Sequence, residues 1–446
     1  MNSSKTAVWY ALIVLFAINT LNFFDRSILS AVGESIRKEF LLDDASLGLL
    51  GTAFTLIYAF ISVPFGRLAD KVGRKTVLAT GVFVWSVVTA ASGLAASFGQ
   101  LFGLRLGVGI GEASCAPAAT SLIGDLFPAN WRARAMSIFM LGLPIGVALS
   151  FAVSGAVTRA YGWRTAFFIA GLPGIILAAA VLFIREPARG ASEVQDISAK
   201  KRPGSPFRII LGSPTMLLII ASGAIHNFNA YALSTFITPY LMRYHGVDIQ
   251  SANLVTTAVY GLMGAPGLML GGLIGDAMIK RRPDGRLLVP TVAILISAPL
   301  LFFALNITSG NILGFAIFMG GGCSLMYFYY SCAYPSIHDI FEPGLRGTAM
   351  AVYFMAFYVL GGSLGPYGTG LMSDFFTKRA ALAAGITDMS QTALEPFKAI
   401  GLQTAMYAIP ILSVLLALVL FAASRTVKKE IESLQAWMNE NAANPM

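Results

Sequence analysis

Four ionisable side chains stand inside long apolar runs of the chain: Asp25 and Arg26 in one, Arg105 and Glu112 in another. A charge near the centre of a bilayer costs ~2.5–3.5 kcal/mol on insertion scales, and residues that carry this cost usually mark a substrate pathway or a proton relay. The four charges sum to zero. Arg105 and Glu112 share one helix face, two turns apart, and Gly107, Gly109 and Gly111 between them let a neighbouring helix come close. A carboxyl group caught between burial, which favours its protonated form, and a guanidinium, which favours its charged form, is able to trade a proton. Asp25 and Glu112 are therefore expected to take up and release protons, and Arg26 and Arg105 to hold an anionic group when the acids are neutral. The alternative is a buried ion-pair network that only fixes helix packing. Residue type does not say which acid pairs with which arginine.

The second half of the chain has no clear charge of this kind. One of its apolar runs carries His226, Asn227, Asn229, Tyr231, Ser234 and Thr235, and another carries Ser324, Tyr327, Tyr329, Tyr330, Ser331 and Tyr334. Aromatic and hydroxyl groups that face a cavity suit an amphiphile or a ring-bearing ligand. His226, Asn227, Tyr327 and Tyr330 thus join Arg26 and Arg105 as candidate substrate-binding residues. The competing readings are a helix-packing hydrogen bond for His226 and interface anchoring for the tyrosines. No nucleophile with a base, and no metal-ligating set, accompanies any of these groups, so an enzyme is not expected. The three histidines and three cysteines are scattered, and neither a metal nor a cofactor is expected. An ATP-binding Gly-x-x-x-x-Gly-Lys-Ser/Thr segment is also missing, which argues against primary active transport.

What must position these residues is a set of membrane helices. Of 446 residues, 56% are hydrophobic and 12% charged, and the mean hydropathy is +0.71. Soluble domains have ~45–50% apolar and ~25% charged residues, so too little polar surface is left to clothe a globule in water. Twelve runs reach the ~20 apolar residues that a membrane helix needs: 8–32, 45–65, 76–97, 99–124, 134–158, 164–184, 214–240, 251–275, 287–306, 310–336, 346–372 and 401–423. Asp25 and Arg26 fall in span one, Arg105 and Glu112 in span four, His226 and Asn227 in span seven, and Tyr327 and Tyr330 in span ten. The positive-inside rule sets the orientation. With the N-terminus in the cytoplasm, 21 Lys and Arg lie on that side and 8 on the other, where Arg37, Arg243 and Lys398 count as loop charges. Both termini are expected in the cytoplasm, in the cell (inner) membrane. The net charge of +9 follows from this topology and implies no nucleic-acid partner.

The two halves repeat. Asp125, Phe127, Arg132, Ala135 and Met136 after span four recur as Asp339, Phe341, Arg346, Ala349 and Met350 after span ten, each 214 residues on. Gly66 and Asp70 likewise recur as Gly272 and Asp276. Equal span number and equal polarity make this a parallel repeat of six helices, a signature of transporters that rock two bundles around a midplane site. The expected fold is an all-α membrane protein with twelve transmembrane helices in two six-helix bundles, a pseudo-two-fold 6+6 repeat. The bundles occupy 1–184 and 214–423. A polar linker over 185–213 joins them, and an amphipathic cytoplasmic tail follows over 424–446.

Spans two and three are joined by Gly66-Arg67-Leu68-Ala69-Asp70-Lys71-Val72-Gly73-Arg74-Lys75. Gly66 and Gly73 permit a tight turn. Asp70 suits a neighbouring helix N-terminus. Arg74 can pair with an acid at another cytoplasmic helix end, with Asp125 the candidate. The plainer reading is a positive-inside turn. The decapeptide resembles the loop 2–3 signature of the major facilitator superfamily, Gly-x-x-x-Asp-(Arg/Lys)-x-Gly-Arg-(Arg/Lys), at every fixed position, and a degraded copy stands at Gly272–Arg282. The resemblance extends over the whole chain. It implies alternating access, spans one and four facing a central cavity, and a cytoplasmic latch of Gly66, Asp70, Gly73, Arg74 and Asp125 that holds the outward-facing state. Asn22-Phe23-Phe24-Asp25-Arg26 is similar to a segment shared by spinster-type lipid transporters and anion:cation symporters. Arg105–Ala113, Gly142–Gly146 and Arg185–Gly190 look like the spinster branch. Span five lacks the Gly-Pro pair of the proton-antiporter pattern and has Ser150 where a glycine is common.

These readings converge on a proton-coupled secondary active transporter of an anionic or amphipathic, lysophospholipid-like organic solute. Its partners would be the substrate, protons and membrane lipid, and it would act as a monomer. A symporter of small organic anions such as sugar acids is the alternative within the family. It would call for a second basic cluster in spans seven to eleven, which the sequence does not have. A passive lipid scramblase or a channel is the alternative from another class.

Overall fold

The structure, a computed structural model, describes residues 5–187 and 205–443. The side chains of residues 5, 63, 66, 67, 69–71, 129, 130, 133, 343 and 439–443 lie outside the described ones. Backbone N–H and C=O groups have no water to bond in lipid, so an uninterrupted helix is the form that satisfies them within one segment. Among the described residues, twelve helical spans are long and apolar enough to cross: Thr6–Phe40, Asp44–Ser62, Arg74–Ser92, Phe98–Leu126, Arg134–Tyr161, Trp163–Leu182, Pro214–Tyr244, Ile249–Ile279, Gly285–Leu305, Ile312–Ile340, Gly344–Ala383 and Gln391–Met438. They are numbered one to twelve in that order. Ile176, Leu273, Ile317 and Leu418 are among the large apolar side chains on their open faces, which suit lipid rather than water.

The helices outrun their apolar stretches. Span one continues to Phe40, span seven to Tyr244, and Lys398 opens a helix within span twelve. Arg37, Arg243 and Lys398 are therefore helical and buried rather than loop charges. The tail differs from expectation too. One helix runs from Ala408 to Ala443, so the segment after Ser424 continues span twelve instead of forming a separate surface helix. Val427 and Leu434 of this extension are buried. Glu430 accepts hydrogen bonds from the Ser213 hydroxyl (2.5 Å) and the Thr215 N–H (3.0 Å), and so caps the start of span seven.

The chain divides into two compact units, Met1–Gln195 with Ser234–Thr257 and Pro366–Leu402, and Asp196–Leu233 with Ala258–Gly365 and Gln403–Met446. In the first, span one packs along span five and span three along span six. Gly146 makes the former contact possible, since a Cβ there would stand 2.2 Å from the Thr20 carbonyl oxygen. One turn on, the Ser150 hydroxyl donates to the Phe24 carbonyl at 2.7 Å. The second unit repeats the scheme. Span nine packs along span twelve, and span eleven meets span seven at Gly365, where a Cβ would lie 2.5 Å from the Phe228 carbonyl oxygen. The sequence repeat is thus a repeat of packing. Spans eight and eleven each contain a π turn, Thr257–Leu262 and Phe357–Gly362.

Replacing Gly146 with Leu is expected to lower the melting temperature or abolish a monodisperse preparation, because overpacking typically costs about 1–3 kcal/mol and backbone cannot step aside cheaply. Gly103→Leu, at a position where a Cβ meets nothing within 4 Å, should behave like wild type in the same detergent size-exclusion and melting assay.

Candidate functional site

The four charges of spans one and four come together as two ion pairs in the first unit. Arg26 Nε donates to Glu112 Oε2 at 2.9 Å, and Arg105 NH1 donates to Asp25 Oδ1 at 3.3 Å. The Thr89 hydroxyl of span three donates to the other oxygen of Asp25. Asp25, Arg105 and Glu112 are buried, whereas the Arg26 side chain keeps 10% of its surface open. Close approach of spans three and four underlies this geometry. A Cβ on Gly111 would stand 2.7 Å from Trp85 Cβ, one turn before Thr89. Aromatic rings surround the guanidinium groups. Arg26 lies over Tyr58 (4.1 Å), Phe23 (5.1 Å) and Phe54 (5.4 Å), and Arg105 lies over the same Phe54 at 5.3 Å. Ring faces attract cations, more strongly when both are desolvated. Glu112 Oε1 and Arg105 Nε have no hydrogen-bond partner among the described residues, so the quartet is charge-balanced without being saturated.

Of the residues expected to form a latch, Gly73 and Arg74 stand at the start of span three. Gly73 has φ +114°, a conformation L side chains rarely adopt, and turns the chain between two helices. Arg74 pairs with Asp125, as anticipated. It also bonds Glu186 Oε1 through Nε (3.0 Å) and the Pro187 carbonyl oxygen through NH2 (2.6 Å). Glu186 accepts from the backbone N–H of Arg74 (2.9 Å) and of Lys75 (3.3 Å), capping span three. This role went unread in the sequence, where Glu186 figured only within the Arg185–Gly190 segment. The side chains of Gly66 and Asp70 lie outside the described ones. Partial burial pushes the Glu186 carboxyl up, but the hydrogen bonds from Arg74 and Lys75 and the Arg74 charge outweigh it, holding the group below the ordinary glutamate range.

Residues 15–366 match the family model of the Major Facilitator Superfamily. The chain belongs to that superfamily. It is similar to Protein spinster of Drosophila melanogaster, with 28% identity over 413 residues, 88% of this chain and 67% of that protein. Spinster homolog 1 of Xenopus laevis is 31% identical over 389 residues, 82% of this chain and 73% of that one. An MFS-type efflux pump of Mycolicibacterium smegmatis is 30% identical over 375 residues, 83% and 85% of the two chains. The fold also matches the crystal structure of a bacterial homologue of the human lysosomal transporter Spinster, in an inward-facing and unoccupied conformation. The TM-score is 0.88 at 31% identity, covering 96% of this chain and 99% of that one. This major facilitator is a multi-pass membrane transporter of the spinster type, and its family and fold are those of transporters rather than enzymes.

The second half of the transporter carries a counterpart of the Arg74–Asp125 pair. Arg286 pairs with Asp276 (2.8 Å) and with Asp339 (2.8 Å), the repeats of Asp70 and Asp125. The arginine stands beyond the degraded Gly272–Arg282 copy, because the helix restarts at Gly285 and Arg282 is spent on Asp284 in the turn. His226, Tyr327 and Tyr330 line one cavity with Ala230, Leu233, Tyr260, Cys323 and Met326. Asn227 is not among the lining residues. Its Nδ2 donates to the Phe357 carbonyl at 2.7 Å, in the π turn of span eleven.

Sequence reasoning missed a second buried ionic cluster in the first unit. Arg243 bridges Glu34 (2.6 Å) and Asp44 (2.8 Å), and Arg37 bridges Glu34 (2.7 Å) and Glu395 (2.7 Å). The Ser373 hydroxyl donates to Asp44 at 2.6 Å, and Asp374 caps span two through the N–H groups of Asp44 (3.0 Å) and Ala45 (2.8 Å). Removing one partner of a buried pair strands the other and costs about 3–5 kcal/mol. An exposed pair such as Arg159–Asp248, at 3.6 Å, is worth about 0–1 kcal/mol. Arg243→Met should therefore lower the melting temperature severalfold more than Arg159→Met.

A titration checks Glu186. A carboxyl whose pKa is lowered on folding stabilises the fold above its unfolded value and loses that contribution as pH falls through the folded one. Wild type should melt above Glu186→Gln at pH 7. The gap should close only as the pH drops below ~4.3, the ordinary glutamate value.

Proposed function

We propose that this spinster-type transporter is a proton-coupled secondary carrier of an anionic, amphipathic organic solute of the lysophospholipid kind, working by alternating access. The observation that carries the reading is the Arg26–Glu112 pair, buried at the acid and part-open at the arginine. When Glu112 takes a proton, Arg26 loses its counter-charge and can receive the phosphate or carboxylate of the solute. Release of the proton restores the pair and expels the anion. Arg105 and Asp25 form the second such pair in the same aromatic surround, and Asp25 can exchange a proton by the same logic. Phe23, Phe54 and Tyr58 offer apolar walls to the acyl part of an amphiphile. A sugar acid would be better served by hydrogen-bonding walls, so the lipid-like reading is preferred to the small-anion one. Similarity to spinster proteins and to an efflux pump supports a carrier over a channel.

In this reading the halves 1–184 and 214–423 move as bodies, joined by the linker 185–213, in a monomer. Gly66, Asp70, Gly73, Arg74 and Asp125, with Glu186 added, form the cytoplasmic latch of the outward-facing state. The Arg243–Glu34–Asp44 cluster holds the opposite ends of spans one, two and seven together until that side opens. Tyr327, Tyr330 and His226 line a second-half subsite, and Asn227 fixes span seven against span eleven. Both termini are cytoplasmic, in the inner membrane of the cell.

The test is uptake of radiolabelled lysophosphatidate by proteoliposomes under an imposed pH gradient. Wild-type uptake should respond to the gradient. Arg26→Ala should reduce it to the empty-vesicle level. Glu112→Gln should retain solute exchange and lose the response to pH. Wild-type flux indifferent to the gradient would identify a scramblase instead, and uptake of gluconate but not of lysolipid would move the protein to the small-anion branch.

A further inference from the structure

The cavity in the second unit contains a buried imidazole with no hydrogen-bond partner among the described residues. His226 is 1% exposed, and neither ring nitrogen has a hydrogen-bond partner among the described residues. Leaving a buried polar group unmet costs about 1–3 kcal/mol, so a group in this position calls for an explanation. Two of the other polar side chains around it are already engaged. The Tyr260 hydroxyl donates to the Ala230 carbonyl (3.0 Å), and the Tyr327 hydroxyl donates to the carbonyl of Tyr260 (3.3 Å), within the π turn of span eight. These two tyrosines keep their donors on backbone and contribute ring surface to the cavity. No Asp, Glu, Lys or Arg lines it.

The imidazole is held in one plane. Tyr329 stacks on it with centroids 4.2 Å apart and 14° between planes, and Tyr330 meets it edge-on at 4.8 Å. Tyr329 is itself pinned, sharing hydrogen bonds with the Ser222 hydroxyl (2.9 Å) and the Tyr353 hydroxyl (3.0 Å). The open space beside the ring, about 10 Å³, suits a group the size of one water. A neutral imidazole presents one donor and one acceptor. Water and an alcohol hydroxyl are small groups that can answer both. A carboxylate can only accept and an ammonium can only donate.

We propose that His226 is the binding site for an alcohol hydroxyl of the solute, oriented by Tyr329, and not a site for its anionic group. This rests on the amphipathic-solute reading above and names the second group that the solute must carry. The ligand class is an anionic amphiphile with a free hydroxyl near its headgroup. Tyr329 is a positioning residue, acting through the imidazole plane.

The probes are dodecanoyl lysophosphatidate, with one free glycerol hydroxyl, and its 2-deoxy analogue, bound to the full-length protein in nanodiscs. The readout is the ratio of the two dissociation constants within each protein. Wild type should favour the hydroxyl form by roughly three- to tenfold, the scale of one net hydrogen bond. His226→Leu should bring the ratio to about one, and His226→Gln, which keeps a donor and an acceptor, should retain part of the preference. Tyr329→Phe keeps the stack but loses its two hydrogen bonds, and should give an intermediate ratio. Equal binding of the two probes by wild type, or an undiminished preference in His226→Leu, overturns the assignment while leaving the lysolipid reading intact. Wild type that binds neither probe overturns both.

Discussion

An isolated charge is not tolerated in a dry, low-dielectric interior, and the first unit of this transporter is organised around meeting that constraint twice. Asp25, Arg26, Arg105 and Glu112 cancel as two ion pairs. Glu34, Arg37, Asp44, Arg243 and Glu395 form a second cluster. Each helix that contributes a charge is thereby tied to the helix that holds the counter-charge. Span one takes part in both sets, through Asp25 and Arg26 in its middle and Glu34 and Arg37 two to three turns further on. In the first set each arginine has one carboxylate within ion-pair distance, whereas in the second Arg37 and Arg243 each have two. Packing and charge are therefore not separable in this unit.

The two halves repeat their packing without repeating their chemistry. Span eleven meets span seven as span five meets span one, yet the polar content of the second unit's cavity is an imidazole among aromatic rings. The Arg74 ion pair shows the same divergence on a smaller scale. Its acid recurs at the expected offset, whereas its arginine is displaced to Arg286, where the restart of a helix presents it to Asp276 and Asp339.

The inner quartet could be picked out from residue type alone, because a charge inside an apolar run is conspicuous and the helical repeat puts Arg105 and Glu112 on one face. Their pairing depends on how spans one and four are rotated, which no single-helix pattern contains. Arg37, Arg243 and Lys398 were hidden for a different reason. They lie just past the apolar stretches, where a hydropathy pattern stops but the helix continues, so they read as loop charges. Glu186 was hidden because a cap from a segment remote in sequence leaves no local signature at either end. His226 and Asn227, adjacent in sequence, looked alike as polar residues in span seven. They separate only when span eleven brings the Phe357 carbonyl to one of them and leaves the other facing a cavity.

The two helix caps bear on how the protein is made. Span three begins at Arg74, but the carboxylate that satisfies its first N–H groups is Glu186, which follows span six. Span seven begins near Pro214, but its capping carboxylate is Glu430, beyond the apolar part of span twelve. In a chain inserted from its N-terminus, each of these carboxylate caps is completed only when the last helix of its half has been made. Until Glu430 is in place, span seven has the local cap of Ser213, whose hydroxyl accepts from the Met216 N–H at 3.0 Å, and lacks the carboxylate to which the Thr215 N–H donates in the finished fold.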